Sequence, residues 1–229
     1  MARPTLLIVV PARGGSKRLP GKHLRPLCGR NLLAHADTAI GEAALDAPVV
    51  LSTDDAAIAA EGRRLGWLVP FVRPRHLSGD DSASVDMLLH ALDAFGRSAG
   101  YAPELVMLLQ VTSPLRPAAA LAEAVALLEA RADADAVVGV RALERTPQTV
   151  FRLGADGFLA PAGADSAPLY TPNGALYVIR TEIVRRRRSL FPERTLPVVM
   201  DARASLDIDT ELDWRMAEYL LAQPVTAAS

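Results

Sequence analysis

Short apolar runs alternate with segments of helical period along nearly the whole chain, and this alternation restricts the possible architectures more than any other feature. Residues 5–10, 48–52, 105–110 and 135–140 are rich in Val and Leu and have the length of buried strands. A further short strand is expected just ahead of the loop Phe71-Val72-Arg73-Pro74. Between them lie amphipathic stretches. One starts at Asn31, a residue suited to an N-cap, and carries Leu32, Leu33 and Ala36 toward a core; another covers 54–65 and is closed by Gly66. Two more cover 82–96 and 117–132. Strands joined through helices pair as a mostly parallel sheet with helices on both faces. The expected fold is therefore α/β, doubly wound and mostly parallel, with ligands at the carboxyl ends of the strands.

With 229 residues, half of them apolar, the chain can bury a full core, and a single domain over 1–229 is expected. Residues 141–172 break the alternation. They are rich in Gly, Pro, Ala and Asp, carry a plausible hairpin around Gly154 to Gly157, and read as an excursion before a strand at 174–180. Arg185 to Arg188 suit the C-terminal end of a helix begun near Thr181. A last strand is expected at 204–208, then a helix capped by Thr210. The lone cysteine, Cys28, excludes an internal disulfide and reads as a packing residue. A formal charge of −1 gives no electrostatic reason to expect nucleic acid or an anionic membrane as partner. The first apolar run is too short for a membrane span or a signal core, so the cytoplasm is the expected compartment.

Chemistry is sought in the loops that follow strands. The first, PARGGSKRLPGK (11–22), places Gly14, Gly15 and Ser16 where backbone N–H groups could turn toward an oxyanion, with Arg13, Lys17 and Lys22 supplying charge. Of 25 basic residues only Lys17 and Lys22 are lysines, which points to a compact ammonium being required in this loop. The loop is neither a dinucleotide fingerprint nor a Walker A sequence. Asp54 and Asp55 after the second strand suit an N-cap and first helical turn. Ser84 could contact a ribose or phosphate, while Ser82 could cap a helix. Gln110, Thr112 and Ser113 end an otherwise apolar strand, where unpartnered polar groups are costly, and this favours a ligand. On a strand, Asp207 and Asp209 would project from one face and could hold a divalent cation; the alternative makes Asp209 a helix cap and Asp207 a solvated residue.

PARGGSKRLPGK, LSTDD, FVRP, LLQVTSPLR, NGALYVI and SLDIDTELD, in this order, resemble the CMP-sialic acid synthetases, or acylneuraminate cytidylyltransferases. The resemblance spans nearly the whole chain and weakens in the 141–172 excursion. It implies a Rossmann-like α/β fold, a homodimer with the excursion as a dimerisation and acceptor-side segment, CTP as substrate and Mg²⁺ as cofactor. It also implies transfer of CMP to the anomeric hydroxyl of a 2-keto-3-deoxy sugar acid, with pyrophosphate leaving. By motif, Arg13, Gly14, Gly15, Ser16, Lys17, Lys22, His23, Arg73 and Ser84 would bind the nucleotide. Gln110, Thr112, Ser113 and Asn173 would face the acceptor, and Asp207 and Asp209 would carry the metal. Lys22, Asp209 and Arg13 would lie at the reacting phosphate, Asp209 beside a hydroxyl that the metal helps to deprotonate.

Two departures from the family pattern bear on specificity. His23 stands where the family has Asn after the second loop lysine. Members acting on sialic acid carry arginines shortly before the NGA motif, whereas Leu169-Tyr170-Thr171-Pro172 precede Asn173 here and residues 153–172 contain no arginine. The acceptor is then expected to differ from ordinary sialic acid, as a legionaminic-type acid does, or as an acceptor of specialised metabolism would.

Overall fold

The structure, a computed structural model, describes residues 5–79, 81–145, 147–153, 159–161, 163 and 167–223. Eight strands are β1 (Leu6–Pro11), β2 (Val49–Ser52), β3 (Leu105–Leu108), β4 (Ala136–Ala142), β5 (Phe151–Leu153), β6 (Leu159–Pro161), β7 (Tyr170–Arg180) and β8 (Thr195–Val199). Six helices are α1 (Leu32–Glu42), α2 (Ala56–Arg64), α3 (Ser84–Ala99), α4 (Ala118–Ala130), α5 (Thr181–Arg187) and α6 (Glu211–Ala222). The main sheet runs β2-β1-β3-β7-β4-β8, and only β7 lies antiparallel to its neighbours.

The period of two along β1 explains the layering. Leu6, Ile8 and Val10 enter a core shared with α1, α4 and α6, while Leu7 and Val9 enter a second core against α3 and α5. Each such fully buried side chain contributes about 1.5–3 kcal/mol of transfer free energy. Because β2 and β3 flank β1 on opposite sides, the loop after β1 emerges where the chain changes direction across the sheet, the crevice that doubly wound folds offer to ligands.

β7 is irregular where it matters. Its pairing with β4 jumps from Val138↔Tyr177 to Val140↔Pro172, so five steps along β7 answer two along β4. Gly174 lies in this bulge with φ +76°, a conformation that L side chains rarely adopt. The bulge carries Asn173 and Gly174 out of the ladder, Asn173 to Ser205 and Gly174 beside Gln110.

Several expectations are corrected. Residues 204–208 form no strand: Ser205 and Leu206 N–H groups bond back to Asp201 and Arg203 carbonyls, and the Asp201 side chain accepts from Ala204 N–H, which is turn geometry. β8 was not anticipated, because Pro197 interrupts it; the proline is tolerated because β8 is the sheet edge. The strand expected ahead of Phe71 is reduced to an isolated bridge between Leu68 and Val50. α3 begins at Ser84, and Ser82 does not cap it but donates to the His76 carbonyl. Cys28 is exposed in a left-handed turn rather than packed. In the excursion β5 and β6 form a separate antiparallel pair, and Gly154 to Gly157 lie outside the described residues.

Candidate active site

The loop after β1 is pinned from below. Ala12 N–H donates to the Ser52 carbonyl, and Gly14 N–H donates to Asp54 Oδ1 at 2.9 Å. A Cβ on Gly14 would stand 2.7 Å from Asp55 Oδ2, so any larger residue there would displace the Asp55 carboxylate. Asp55 itself caps α2, accepting from Ala57 and Ile58 N–H groups. Of the pair expected as N-cap and first-turn residues, Asp55 is the cap, while Asp54 precedes the helix and occupies the Gly14 N–H expected for an oxyanion.

What this loop encloses is a cleft of about 570 Å³ at the ends of β1 and β3. Arg13, Lys17, Arg18, Lys22 and Arg73 give it five cations against the carboxylates of Asp207 and Asp209. Ser16, His23, Ser84, Gln110 and Thr112 line it too, whereas Gly14, Gly15, Ser113 and Asn173 do not. The anion-holding groups are therefore side chains more than a glycine backbone nest. Such a cationic excess suits a polyphosphate, with planar donors from arginine and point charges from lysine.

Lys22 is buried, and its ammonium donates to the Ile208 carbonyl at 2.7 Å and to Asp209 Oδ1 at 3.1 Å. Arg18 holds the other oxygen, Oδ2, at 2.8 Å. Sequence reasoning did not single out Arg18, although it lies inside the same basic loop. Asp209 therefore links the first loop to the last one, and it shares Asp213 with Thr210, the true cap of α6.

His23, beside Lys22, is buried and its pKa falls to about 4, first because burial penalises the imidazolium and then because Lys22 repels it. The ring is neutral at physiological pH and acts as an uncharged hydrogen-bonding group, as the family's asparagine would. Arg73 is also buried, its Nε 2.9 Å from Ser52 Oγ and its Nη2 on the Ser52 carbonyl; burial lowers its pKa to about 10, so it stays charged.

The loop after β3 is shaped by Arg116, another residue the sequence reading passed over. Its Nη2 donates to the Gln110 and Ser113 carbonyls, while its Nε and Nη1 have no hydrogen-bond partner among the described residues. Burial lowers its pKa to about 9, which still leaves it a cation at pH 7. Thr112 accepts the Ile208 N–H on its carbonyl at 2.8 Å, placing the 205–209 segment alongside. Asp207 and Asp209 thus reach one cavity through a loop, not through strand periodicity.

Asp207 lies between two cavities. Burial holds its carboxyl above the usual carboxylate range, repulsion from Asp209 and Asp213 adds to this, and a Thr112 hydrogen bond and Lys22 only partly offset it. Its Oδ1 is buried without a partner. A hard divalent cation, which takes one or two protein carboxylates alongside phosphate oxygens, fits this unsatisfied donor set. The second cavity, about 530 Å³, shares Gln110 and Asp207 with the first and adds Arg141, Thr171, Tyr177 and Asp213. Asn173 borders it, but its carboxamide is committed internally: Nδ2 donates to Ser205 Oγ at 3.0 Å and Oδ1 accepts from Ala175 N–H. Asn173 ties the β7 bulge to the loop of Asp207 instead of offering free donors. Gly174 permits the junction, since a Cβ there would lie 3.1 Å from Gln110 Oε1.

A polyphosphate-sized cationic crevice at the switch point of a doubly wound sheet, beside a carboxylate-lined annex, defines an α/β nucleotidyltransferase. The chain belongs to the cytidylyltransferase family, whose model matches residues 7–152. A CMP-N,N'-diacetyllegionaminic acid synthase of Legionella pneumophila is 31% identical over 225 residues, which cover 94% of this chain and 96% of that protein. An N-acylneuraminate cytidylyltransferase of Streptococcus agalactiae is 32% identical over 91% of this chain, which spans about half (51%) of that longer relative. Among solved structures, CMP:2-keto-3-deoxy-manno-octonic acid synthetase complexed with CTP superposes with a TM-score of 0.69 at 19% identity, covering 95% of this chain and 98% of that one. A 4-diphosphocytidyl-2C-methyl-D-erythritol synthase of Anaerococcus prevotii does so with a TM-score of 0.67 at 15% identity, covering 96% and 99%. These two share the fold.

Proposed function

We propose that this chain transfers CMP from CTP to the anomeric hydroxyl of a nonulosonate of legionaminic type, releasing pyrophosphate. The observation that carries this reading is the pair of adjoining cavities with Gln110 and Asp207 as their common wall. One is cationic and suits a triphosphate; the other suits a polyhydroxylated acid; the reacting phosphorus and hydroxyl would meet at the shared wall. The relative from Legionella pneumophila, whose name gives a legionaminic acid product, matches over nearly its full length and supports the acceptor class.

Catalysis in this reading is positioning plus charge neutralisation. Arg13, Lys17 and Arg18 would bear the growing charge on the leaving pyrophosphate, and Lys22 would hold Asp209 and the adjacent backbone in place. His23 and Arg73 would contact the nucleotide from the cleft wall, and Ser16 and Ser84 would donate to phosphate or ribose. Gln110 and Thr112 would orient the acceptor, supported by Ser113 and Asn173 behind them. Asp207 and Asp209 would hold Mg²⁺, which when bound neutralises phosphate charge and acidifies a coordinated hydroxyl.

The exposed apolar side chains of Val150, Phe151, Leu159 and Tyr170 in the excursion support a homodimer through that segment. Use of CTP supports action in the cytoplasm, and no helix among the described residues is long and apolar enough to cross a membrane. The reading is tested by pyrophosphate release with CTP, Mg²⁺ and a panel of legionaminic, neuraminic and 2-keto-3-deoxyoctonic acids. Release with a nine-carbon acid, absent with UTP or ATP and abolished by EDTA, is expected. Release that ignores the acid supplied would overturn it.

A further inference from the structure

The second cavity has the opposite charge balance to its neighbour. Among the described residues lining it, Asp207 and Asp213 are anionic and Arg141 is the one cation. An acid entering a pocket with two carboxylates would be repelled unless Arg141 met it. The placement of Arg141 follows from β4. Residues Ala136 to Val140 are buried, and exposure begins at Arg141. Alternation puts Val137, Gly139 and Arg141 on one face of the strand. Gly139 has no side chain, and the Asn173 carboxamide fills that space, 2.8 Å from where a Cβ would stand. Directly across the ladder from Arg141 is Thr171, short and uncharged, so no carboxylate on β7 claims the guanidinium. Residues 170–173 of β7 carry no cation, so at this end of the ladder the positive charge comes from β4.

We propose that Arg141 binds the carboxylate of the sugar-acid acceptor and thereby makes the second cavity select acids over neutral sugars, an assignment that rests on the cytidylyltransferase reading above. The guanidinium fork matches a carboxylate with two parallel N–H donors, a geometry that lysine cannot reproduce.

The test measures KM for CTP and for N,N'-diacetyllegionaminic acid in wild type, Arg141→Gln and Arg141→Lys. Loss of a charge-assisted pair predicts a rise in acceptor KM of roughly 10- to 100-fold in Arg141→Gln, with KM for CTP within about twofold of wild type. Arg141→Lys should fall between. With the acceptor methyl ester, which has no carboxylate charge, Arg141→Gln and wild type should have equal kcat/KM. Because Arg141 is exposed, the melting temperatures of all three should agree. An unchanged acceptor KM in Arg141→Gln, or an equal rise for CTP, overturns the assignment while leaving the parent reading intact. Wild-type protein that activates no sugar acid removes the parent reading and the assignment with it.

Discussion

His23 offers the sharpest quantitative test of how the first loop is built. Its imidazole titrates near 6.5 when exposed and at about 4 in the folded protein, where burial and Lys22 oppose its charging. Between those two values the unfolded chain binds a proton that the native chain refuses, so stability must fall as pH drops from about 6.5 toward 4. The loss reaches about 2 kcal/mol at pH 5 relative to pH 7.5, and about 3.4 kcal/mol below pH 4, taking about 1.36 kcal/mol per unit. His23→Asn keeps a neutral hydrogen-bonding group but cannot titrate. Urea unfolding of both proteins at pH 7.5, 6 and 5 should show their stability difference shifting by about 2 kcal/mol in favour of the variant. The offset at pH 7.5 is immaterial; the change with pH is the signal. Curves that stay parallel from pH 7.5 to 5 would refute the buried neutral imidazole.

Asp207→Asn removes a charge that burial and two neighbouring carboxylates disfavour. At pH 7.5 the variant should therefore melt at or above the wild-type temperature while needing at least about tenfold more Mg²⁺ for half-maximal activity, as thermal melts and a Mg²⁺ titration would show. Asn173→Ala leaves the buried Ser205 hydroxyl unpaired and should cost about 1–3 kcal/mol; adding Ser205→Ala should recover part of that, a non-additivity read from denaturant midpoints of the double-mutant cycle.

The layered fold was legible because buried strands read as short, near-continuous apolar runs, as at residues 6–10 and 136–140, and because Asn31 and Thr210 are capping residues that use their side chains as expected. β8 was illegible since an edge strand tolerates a proline that a central strand would reject. The Asp207 and Asp209 segment resembles a strand in sequence because Ala204, Leu206 and Ile208 are apolar at every second position; Asp201, whose side chain closes the turn, is the overlooked signal. The candidate site was visible where a motif puts charge in a loop, as with Arg13, Lys17 and Lys22. It was not visible where geometry depends on distant chain segments meeting. Arg116 buried beneath the Gln110 loop, Arg18 across from Asp209, and Asn173 turned inward to Ser205 all belong to that second kind.

If a sugar-acid hydroxyl attacks the α-phosphorus of CTP, the anomeric oxygen of the acceptor ends in the product. Supplying the acceptor with ¹⁸O in the anomeric hydroxyl and following the product by ³¹P NMR and mass spectrometry reads this out. The label should appear in the bridge between CMP and the sugar, with unlabelled pyrophosphate released in equal amount. Label retained only in unreacted acid while CTP is consumed, or label found in pyrophosphate, would rule out this attack.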